Sequence, residues 1–416
     1  MIAYTYHLGT IVIITLTVLM IAIFSAWLYL LIYTIISFNR LSKLESINKQ
    51  HHATVGDECP KVSVILPARN EEKYIEKCID SLLKQSYPNF EIVAINDSSY
   101  DRTDEIIQRY HILNSKIVAI NAGPKPEEEV WIGKNWACYQ GYLNTTGDIL
   151  LFTDADTVHS ISTMSLAVTY LLKQNLDALT AIPKILSEED IWIKITLPLL
   201  WTLSYARYSP LRANNPKSKI GYFFGSFFII TRKTYESVGT HKAVKNEIVE
   251  DGALGRKVKE EKFKLRVVRG ERYVEAIWAR DFNTLWDGLR RLMIPLYQRE
   301  RSNALLMTLS SFLLLLLPFI LLPFLLFRTP ITLLLIHGYY SVNAFLLSID
   351  IAIIAILFST SAIQSKYTLF QNMLYILGSP LAGVIIFFAF ISSILDAAKK
   401  NAINWKGRQY TITQTH

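Results

Sequence analysis

The sequence predicts an α/β protein: a mostly parallel nucleotide-binding sheet with a transmembrane anchor before it and a transmembrane helical region after it. Three observations carry this. Long apolar runs stand at both ends of the chain, short β-branched strands alternate with amphipathic helices between them, and polar clusters fall where those strands end.

The composition agrees. Of 416 residues, 51% are apolar and only 19% charged, against about 25% charged in an ordinary soluble domain. Lys and Arg number 43 against 35 Asp and Glu, a formal charge of +8. That excess suits an anionic membrane surface or nucleic acid. The basic residues cluster beside apolar, aromatic stretches, so nucleic acid is excluded as the partner and the bilayer is expected. Cys59, Cys78 and Cys138 are widely spaced, which excludes a disulfide framework and a cysteine zinc site.

Residues 8–38 contain no charged side chain and exceed the roughly 20 residues that cross a bilayer core as a helix. The run is too long for a signal peptide and lacks a basic leader, so an uncleaved anchor is expected. Arg40, Lys43 and Lys49 follow it, which places the next domain in the cytoplasm by the positive-inside tendency. A second apolar block, residues 303–395, divides into about three spans: Ala304–Phe327, Ile331–Phe358 and Leu369–Leu395. Arg328-Thr-Pro and Gln364-Ser-Lys366 separate them, and His337-Gly338 and Asp350 interrupt them. An intramembrane carboxylate is a functional-site candidate by default; the alternative is that a helix ends there. Three spans put the tail, residues 396–416, opposite the catalytic domain. Yet Lys399, Lys400, Lys406 and Arg408 favour the cytoplasm, so either one segment is re-entrant or interfacial, or the middle run hides a second crossing.

Residues 60–270 carry the sheet. Strands are expected at Val62–Leu66, Phe90–Ile95, Lys116–Ile120, Ile149–Phe152 and Ala178–Ile182. Helices are expected at Glu71–Leu83, Arg102–Leu113, Asn135–Leu143 and Ile161–Leu172. Ligands of such sheets bind beyond the carboxyl ends of the strands. Pro67-Ala-Arg-Asn-Glu71, Asn96-Asp97 and Thr153-Asp-Ala-Asp156 fall there. Neither a dinucleotide GxGxxG nor a GxxxxGK[ST] loop is present, so dehydrogenase and P-loop readings are set aside.

Asp154 and Asp156 stand two positions apart just past an apolar strand, the spacing for two carboxylates on one hard cation, Mg²⁺ or Mn²⁺. The bland alternative is a solvated turn. Asp97 is expected to accept from a base or ribose while Asp101 or Thr103 starts the next helix. Arg69 and Asn70 are placed to line the same pocket, although Asn70 also suits a cap. Lys134 lies between Trp131 and Trp136, side chains that are costly to expose and that mark a cleft or a membrane lip. Glu250-Asp251 precedes Gly252-Ala-Leu-Gly255, and both acids suit either a helix N-terminus or an acceptor-side base.

Ile191–Leu203, with Trp192 and Trp201 and a basic flank, reads as an interfacial amphipathic segment, and residues 271–302 as a second one. The aromatic stretch Ile220–Ile230 suits a core strand or the wall of a lipid tunnel equally.

Taken as an ordered set, Val64-Ile-Leu-Pro-Ala-Arg-Asn-Glu-Glu72, Ile95-Asn-Asp-Ser-Ser-Tyr-Asp-Arg-Thr103, Trp131-Ile-Gly-Lys-Asn-Trp-Ala137, Phe152-Thr-Asp-Ala-Asp156, Gly225-Ser226, Glu250-Asp-Gly-Ala-Leu-Gly255 and Trp405-Lys-Gly-Arg408 resemble membrane-bound glycosyltransferase family 2, with its GT-A fold. In appearance the hopanoid- and carotenoid-type lipid glycosyltransferases are nearest. The resemblance implies that Pro67, Arg69, Asn70, Glu71 and Asp97 contact the base and ribose of a nucleotide-sugar, such as a UDP-sugar. It implies Lys134 near the phosphates, Asp154 and Asp156 as the metal and diphosphate pair, and Asp251 with Glu250 as the catalytic base. It also implies inverting transfer to a membrane lipid, either a polyprenyl phosphate or a hydroxylated lipid. The processive synthases of the family carry a Gln/Arg-x-x-Arg-Trp motif, and Arg290-Arg291-Leu-Met does not match it, so single transfer is expected over polymerisation. A non-catalytic scaffold or transporter is the other alternative, disfavoured by the intact Asp154, Asp156 and Asp251.

Overall fold

The computed structural model describes residues 2–47, 59–186, 190–299, 301–328, 342–399, 402–405 and 408–411. Lys49, Thr329-Pro330, the first part of the expected span from Ile331, the His337-Gly338 interruption, Lys400 and Lys406-Gly407 lie outside them. The chain forms two compact units: one of Arg40–Glu188, Arg207–Trp278 and Lys400–His416, the other of Met1–Asn39, Glu189–Ala206 and Ala279–Lys399.

In the first unit the elements run β1 (Val62–Ala68), α2 (Ile75–Leu83), β2 (Phe90–Asn96), α3 (Thr103–Leu113), β3 (Ile117–Asn121), α4 (Gly133–Leu143), β4 (Ile149–Phe152), β5 (Thr157–His159), α5 (Thr163–Lys173), β6 (Ala178–Ile182) and β7 (Lys184–Leu186). After α6, which belongs to the other unit, come α7 (Pro210–Ala213), β8 (Phe228–Thr231), α8 (Arg232–Ser237), α9 (Glu250–Glu260), β9 (Leu265–Arg269) and β10 (Val274–Ile277). The main sheet has the order β3-β2-β1-β4-β8-β6-β9. β3, β2, β1 and β4 are parallel, and β8 runs antiparallel to both β4 and β6. A smaller sheet joins β5, β10 and β7. The α/β class and the parallel sheet are as expected; β1, β2 and β3 end one or two residues beyond the predicted ends, and β4 and β6 end where predicted.

Alternation along β1 explains why the sheet is covered on both faces. Val62, Val64 and Leu66 are buried in one layer with Ile75, Ile79 and Leu82 of α2 and Ile107 of α3. Ile65 points into the other layer with Ala137 and Cys138 of α4 and Leu254 and Val258 of α9. Each such side chain contributes roughly 1.5–3 kcal/mol through burial. β1 lies between β2 and β4, so chain order reverses there. The crevice beyond its carboxyl end is where an open α/β sheet takes ligands.

The second unit holds α1 (Ile2–Arg40), α6 (Ile191–Arg207), α10 (Phe282–Arg299), α11 (Arg301–Ser311), α12 (Leu317–Arg328) and the helices Val342–Gln364 and Ser379–Lys399. Four helical stretches are long and apolar enough to cross a membrane: Ile11–Arg40, Arg301–Phe327, Val342–Leu369 and Met373–Ala397. The protein is a multi-pass membrane protein. On α1 the buried residues recur as Met20, Ile23, Trp27, Leu30, Thr34 and Ser37, and Trp27 Nε1 donates to Leu314 O at 3.0 Å. Ile11, Val12 and Val18 of α1 are left exposed, as a lipid-facing surface requires.

α6 departs from expectation. Ile193, Ile195, Leu197, Leu199, Leu200, Trp201 and Tyr205 are buried, so α6 is a packed helix of the membrane unit and not an amphipathic one lying on a surface. Its residues are apolar nearly all round, the pattern of a buried helix. In the segment 271–302, Val274–Ile277 form β10 of the small sheet, and α10 buries Leu285, Leu289 and Met293. Arg290 of α10 pairs with Asp396, and Ser393 Oγ donates to Arg290 O at 3.0 Å. Asp350 lies inside the helix Val342–Gln364 and is fully buried, so no helix end explains it.

Candidate active site

The loops after β1 and β2 are laced together. Arg69 Nη1 donates to Asp97 O at 2.6 Å and to Ser98 O at 2.8 Å. Asn70 sits at φ 55°, a left-handed conformation that Asn tolerates. Its N–H donates to Ser99 Oγ at 3.1 Å, and its Oδ1 accepts from Tyr100 N–H at 3.0 Å. The Glu71 N–H donates to Thr103 Oγ1 at 2.7 Å, and the Glu72 N–H to Asp101 Oδ2 at 3.1 Å. Asp101 also accepts the Thr103 N–H that opens α3, at 3.0 Å. Arg69 and Asn70 thus shape the Asp97 loop, and Asp97 and Glu71 are buried beneath it.

β4 ends at Phe152, and the chain turns through Thr153 and Asp154. Thr153 Oγ1 donates to Ser226 O at 2.9 Å and lies 2.9 Å from His159 Nε2. Burial pushes His159 down to about 3, so the ring is neutral. Cys78 Sγ donates to Asp154 O at 3.6 Å. Burial, followed by the charges of Asp156 and Asp154, raises that thiol far above its usual range and leaves it inert.

Lys134, on the first turn of α4, is the centre of the arrangement. Its Nζ lies 2.7 Å from Asp154 Oδ1 and 2.7 Å from Glu250 Oε1. Burial works against its charge, but Asp154, Glu250 and Asp251 together hold it well above the usual lysine range. Asp251 stands beside it, at the first turn of α9. Its Oδ2 accepts the Gly225 N–H at 2.8 Å and its Oδ1 the Gly252 N–H at 2.7 Å. Burial, with the Glu250 carboxylate next, pushes Asp251 up to about 7. That places the group where a general base works at neutral pH.

Two glycine contacts set the geometry. A Cβ on Gly225 would stand 3.1 Å from Asp251 Oδ2, 3.2 Å from Lys134 Nζ and 3.3 Å from Asp154 Oδ2, so a side chain there would push these charged ends aside by a few tenths of an ångström. A Cβ on Gly255 would meet Tyr222 Cα at 2.4 Å, which is how α9 packs directly onto that backbone.

Residues that the motif reading passed over complete the frame. Asn135 Nδ2 donates to Val244 O at 2.8 Å, Lys245 O at 3.1 Å and Glu247 O at 2.9 Å, and Ile132 N–H to Lys245 O at 2.8 Å. The start of α4 therefore grips the segment that leads into Glu250. His241 lines a small cavity with Pro67, Lys134, Cys138, Thr153, Gly225 and Glu250. Burial, then Lys134, pushes His241 down to about 3, and Tyr235 OH lies 2.6 Å from its Nδ1. Asn135 was readable only as a helix residue and His241 only as a loop residue. Their contacts span about a hundred positions, and no local spacing announces them.

The structure thus brings Lys134, Asp154, Glu250 and Asp251 together, and holds Arg69, Asn70 and Asp97 in one adjoining loop pair. Trp131 is buried and forms an edge-on pair with Trp136 at 5.1 Å. Among the described residues no three His, Cys, Asp or Glu side chains converge to hold a metal alone. Asp154 is paired with Lys134 through Oδ1, and Mg²⁺ or Mn²⁺ is commonly held by one or two carboxylates plus phosphate and water oxygens.

Comparison with known proteins agrees with this frame. The family model for glycosyl transferase family 2 matches residues 63–239. A 4,4'-diaponeurosporenoate glycosyltransferase of Staphylococcus haemolyticus (strain JCSC1435) is 27% identical over 237 residues, 56% of this chain and 61% of the relative. The Staphylococcus aureus (strain USA300) protein of the same name is 25% identical over 257 residues, 60% of this chain and 64% of its own. The matches therefore span under two thirds of these relatives' length. Among solved structures, a mannosyltransferase from Pyrobaculum calidifontis has a TM-score of 0.50 at 17% identity, covering 91% of this chain and 99% of that one. At that identity the likeness speaks for the fold. Residues 63–239 are thus similar to a glycosyl transferase family 2 domain, in a chain with four helical stretches long and apolar enough to cross a membrane.

Proposed function

We propose that this protein transfers a single sugar, with inversion, from a nucleotide-sugar to a membrane lipid at the cytoplasmic face. The observation that carries the reading is the meeting of Lys134, Asp154, Glu250 and Asp251 around the bare backbone of Gly225. A basic side chain between two acidic strand and helix ends suits a reaction in which a diphosphate departs on one side and a hydroxyl loses its proton on the other.

Arg69, Asn70 and Glu71 hold the Asp97 loop, where the base and ribose bind. Asp154 and Asp156 would hold Mg²⁺ or Mn²⁺, whose charge would offset that of the departing nucleoside diphosphate. The solved mannosyltransferase contains GDP-Man and Mn²⁺. In this protein a UDP-sugar is the expected donor. Lys134 adds positive charge beside Asp154, where negative charge develops. Asp251 accepts the acceptor proton, with its raised affinity making it half-ionised near neutral pH. Such a base suits a hydroxylated lipid better than a polyprenyl phosphate, which is already ionised. The curated relatives are named for a carboxylate, 4,4'-diaponeurosporenoate, which supports a lipid-like acceptor without favouring a hydroxyl.

The test is transfer by purified protein with UDP- and GDP-sugars, Mg²⁺ or Mn²⁺ and native lipid extract, with products read by mass spectrometry. One lipid gaining one hexose-sized increment, lost on chelation and in Asp251→Asn, is the expected result. A ladder of increments would replace this reading with processive synthesis, and absence of donor binding would leave a scaffold.

A further inference from the structure

Within the catalytic unit, the turn Phe224–Phe227 leads into β8 and aims Asp251 through the Gly225 N–H. The turn closes on itself, with the Phe227 N–H donating to Phe224 O at 2.9 Å. Hydroxyls from two strands then fasten it to the sheet. From β6, Thr180 Oγ1 accepts the Phe224 N–H at 2.9 Å and donates to Phe227 O at 2.9 Å. From the end of β4, Thr153 Oγ1 donates to Ser226 O at 2.9 Å, while its other carbonyl neighbour, Asp154 O, lies farther off at 3.4 Å. The same Thr153 oxygen has His159 Nε2 at 2.9 Å.

That last contact has a definite polarity. A carbonyl oxygen only accepts, and a hydroxyl has a single hydrogen to give. With that hydrogen on a carbonyl, the Thr153 oxygen must accept from His159, so the hydrogen-bond network assigns the ring proton to Nε2. The ring is neutral, because burial pushes it down to about 3, and Nδ1 is then a bare acceptor. Nδ1 has no hydrogen-bond partner among the described residues, although His159 is only 5% exposed. An unpartnered buried acceptor costs free energy that an apolar side chain packed beside Phe227, whose ring is 5.7 Å away, would not incur. The bond from Nε2–H to Thr153 is what offsets that cost.

The ring is also anchored from behind. The His159 N–H donates to Ser81 Oγ of α2 at 3.1 Å, and His159 stands opposite Val274 where β5 pairs with β10. α2 and the small sheet therefore fix its place. We propose that His159 is a positioning residue: its Nε2–H turns the Thr153 hydroxyl onto Ser226 O and so holds the Gly225 N–H on Asp251. It acts through Thr153 and the turn, not on substrate. The consequence for turnover rests on the transferase reading above, whereas the chain of hydrogen bonds does not.

The test is backbone hydrogen exchange at Gly225 in the full chain in nanodiscs, read by fragmentation mass spectrometry, with transfer kinetics, UDP titration and melting alongside. His159→Gln offers an amide N–H where Nε2 stands, and His159→Leu offers none. Thr153→Ser keeps the hydroxyl, and Thr153→Val keeps the volume without it. Expected is exchange about tenfold faster in His159→Leu and Thr153→Val, the effect of losing one buried hydrogen bond, and close to wild type in His159→Gln and Thr153→Ser. In the first pair kcat should fall about tenfold with UDP affinity within about twofold of wild type, and in the second it should return. Unchanged exchange in both His159→Leu and Thr153→Val would overturn the proposal. So would equally fast exchange in His159→Leu and His159→Gln, or faster exchange with unaltered kcat. If melting shows that His159→Leu does not fold, the Thr153 pair decides. Exchange needs no substrate, so a protein that behaves as expected there yet transfers no sugar from any donor fails the transferase reading and not the hydrogen-bond chain.

Discussion

The backbone N–H of Gly225 donates to Oδ2 of Asp251 at 2.8 Å, so the residue read as a base is aimed by the turn that leads into β8. Any side chain at 225 would stand among three charged groups. Gly225→Ala is expected to lower turnover by roughly a hundredfold, with loss of donor affinity, while the protein stays folded. Thermal unfolding within a few degrees of wild type alongside near-normal turnover would show that the space beside Asp251 is not needed.

The pH dependence follows from the Asp251, Glu250 and Lys134 cluster. Transfer needs the ionised base, so kcat/KM should rise with pH through a limb near 7, a value that belongs to the cluster as a unit. Lys134 draws Asp251 downward, so Lys134→Met should move the limb to higher pH as well as weaken donor binding. A limb that stays in place, or moves to lower pH, would contradict this.

Stability carries the opposite sign. Asp251 has a folded-state affinity for protons raised from 3.8 to about 7. Its contribution is therefore fully present below pH 3.8 and is lost as pH rises through about 7. Asp251→Asn cannot ionise, so above neutrality it should be more stable than wild type, by on the order of 2 kcal/mol. The difference should shrink by pH 5, which thermal melts at pH 5 and pH 8.5 would read.

Asn135 grips Val244, Lys245 and Glu247 through one amide. Asn135→Leu fills similar volume yet leaves those carbonyls without it, an expected cost of about 1–3 kcal/mol. Because the gripped segment leads into Glu250, kcat should fall more than donor affinity. Equal effects on both would mark a purely structural role.

Gly255→Val should be the most disruptive single change near the site, since its side chain meets backbone and not a movable rotamer. A loss of about 2–4 kcal/mol and of donor binding together is expected, measured by melting and by titration with UDP.

Legibility followed the range of the signal. β1, β2 and β4 were readable because each is a short apolar run that ends in polar residues, and Asp154 and Asp97 were found because they follow such runs. Lys134 stood out through its flanking tryptophans. Its partners did not, since Glu250 lies far along the chain and only folding brings it to 2.7 Å. α6 misled for a related reason. Its tryptophans and basic flank resemble a surface helix, whereas its burial depends on neighbours that a local window does not contain.

α6 also bears on how the protein is made. Its sequence stands between two stretches of the catalytic unit, yet it packs with the membrane helices. In the main sheet β6 pairs only with β8 and β9, both of which are synthesised after α6. As the ribosome advances, β6 therefore waits without a neighbour while an apolar helix emerges behind it. The sheet therefore closes only after α6 has been made, and a catalytic fragment cut free of the other helices would carry α6 as a bare greasy loop.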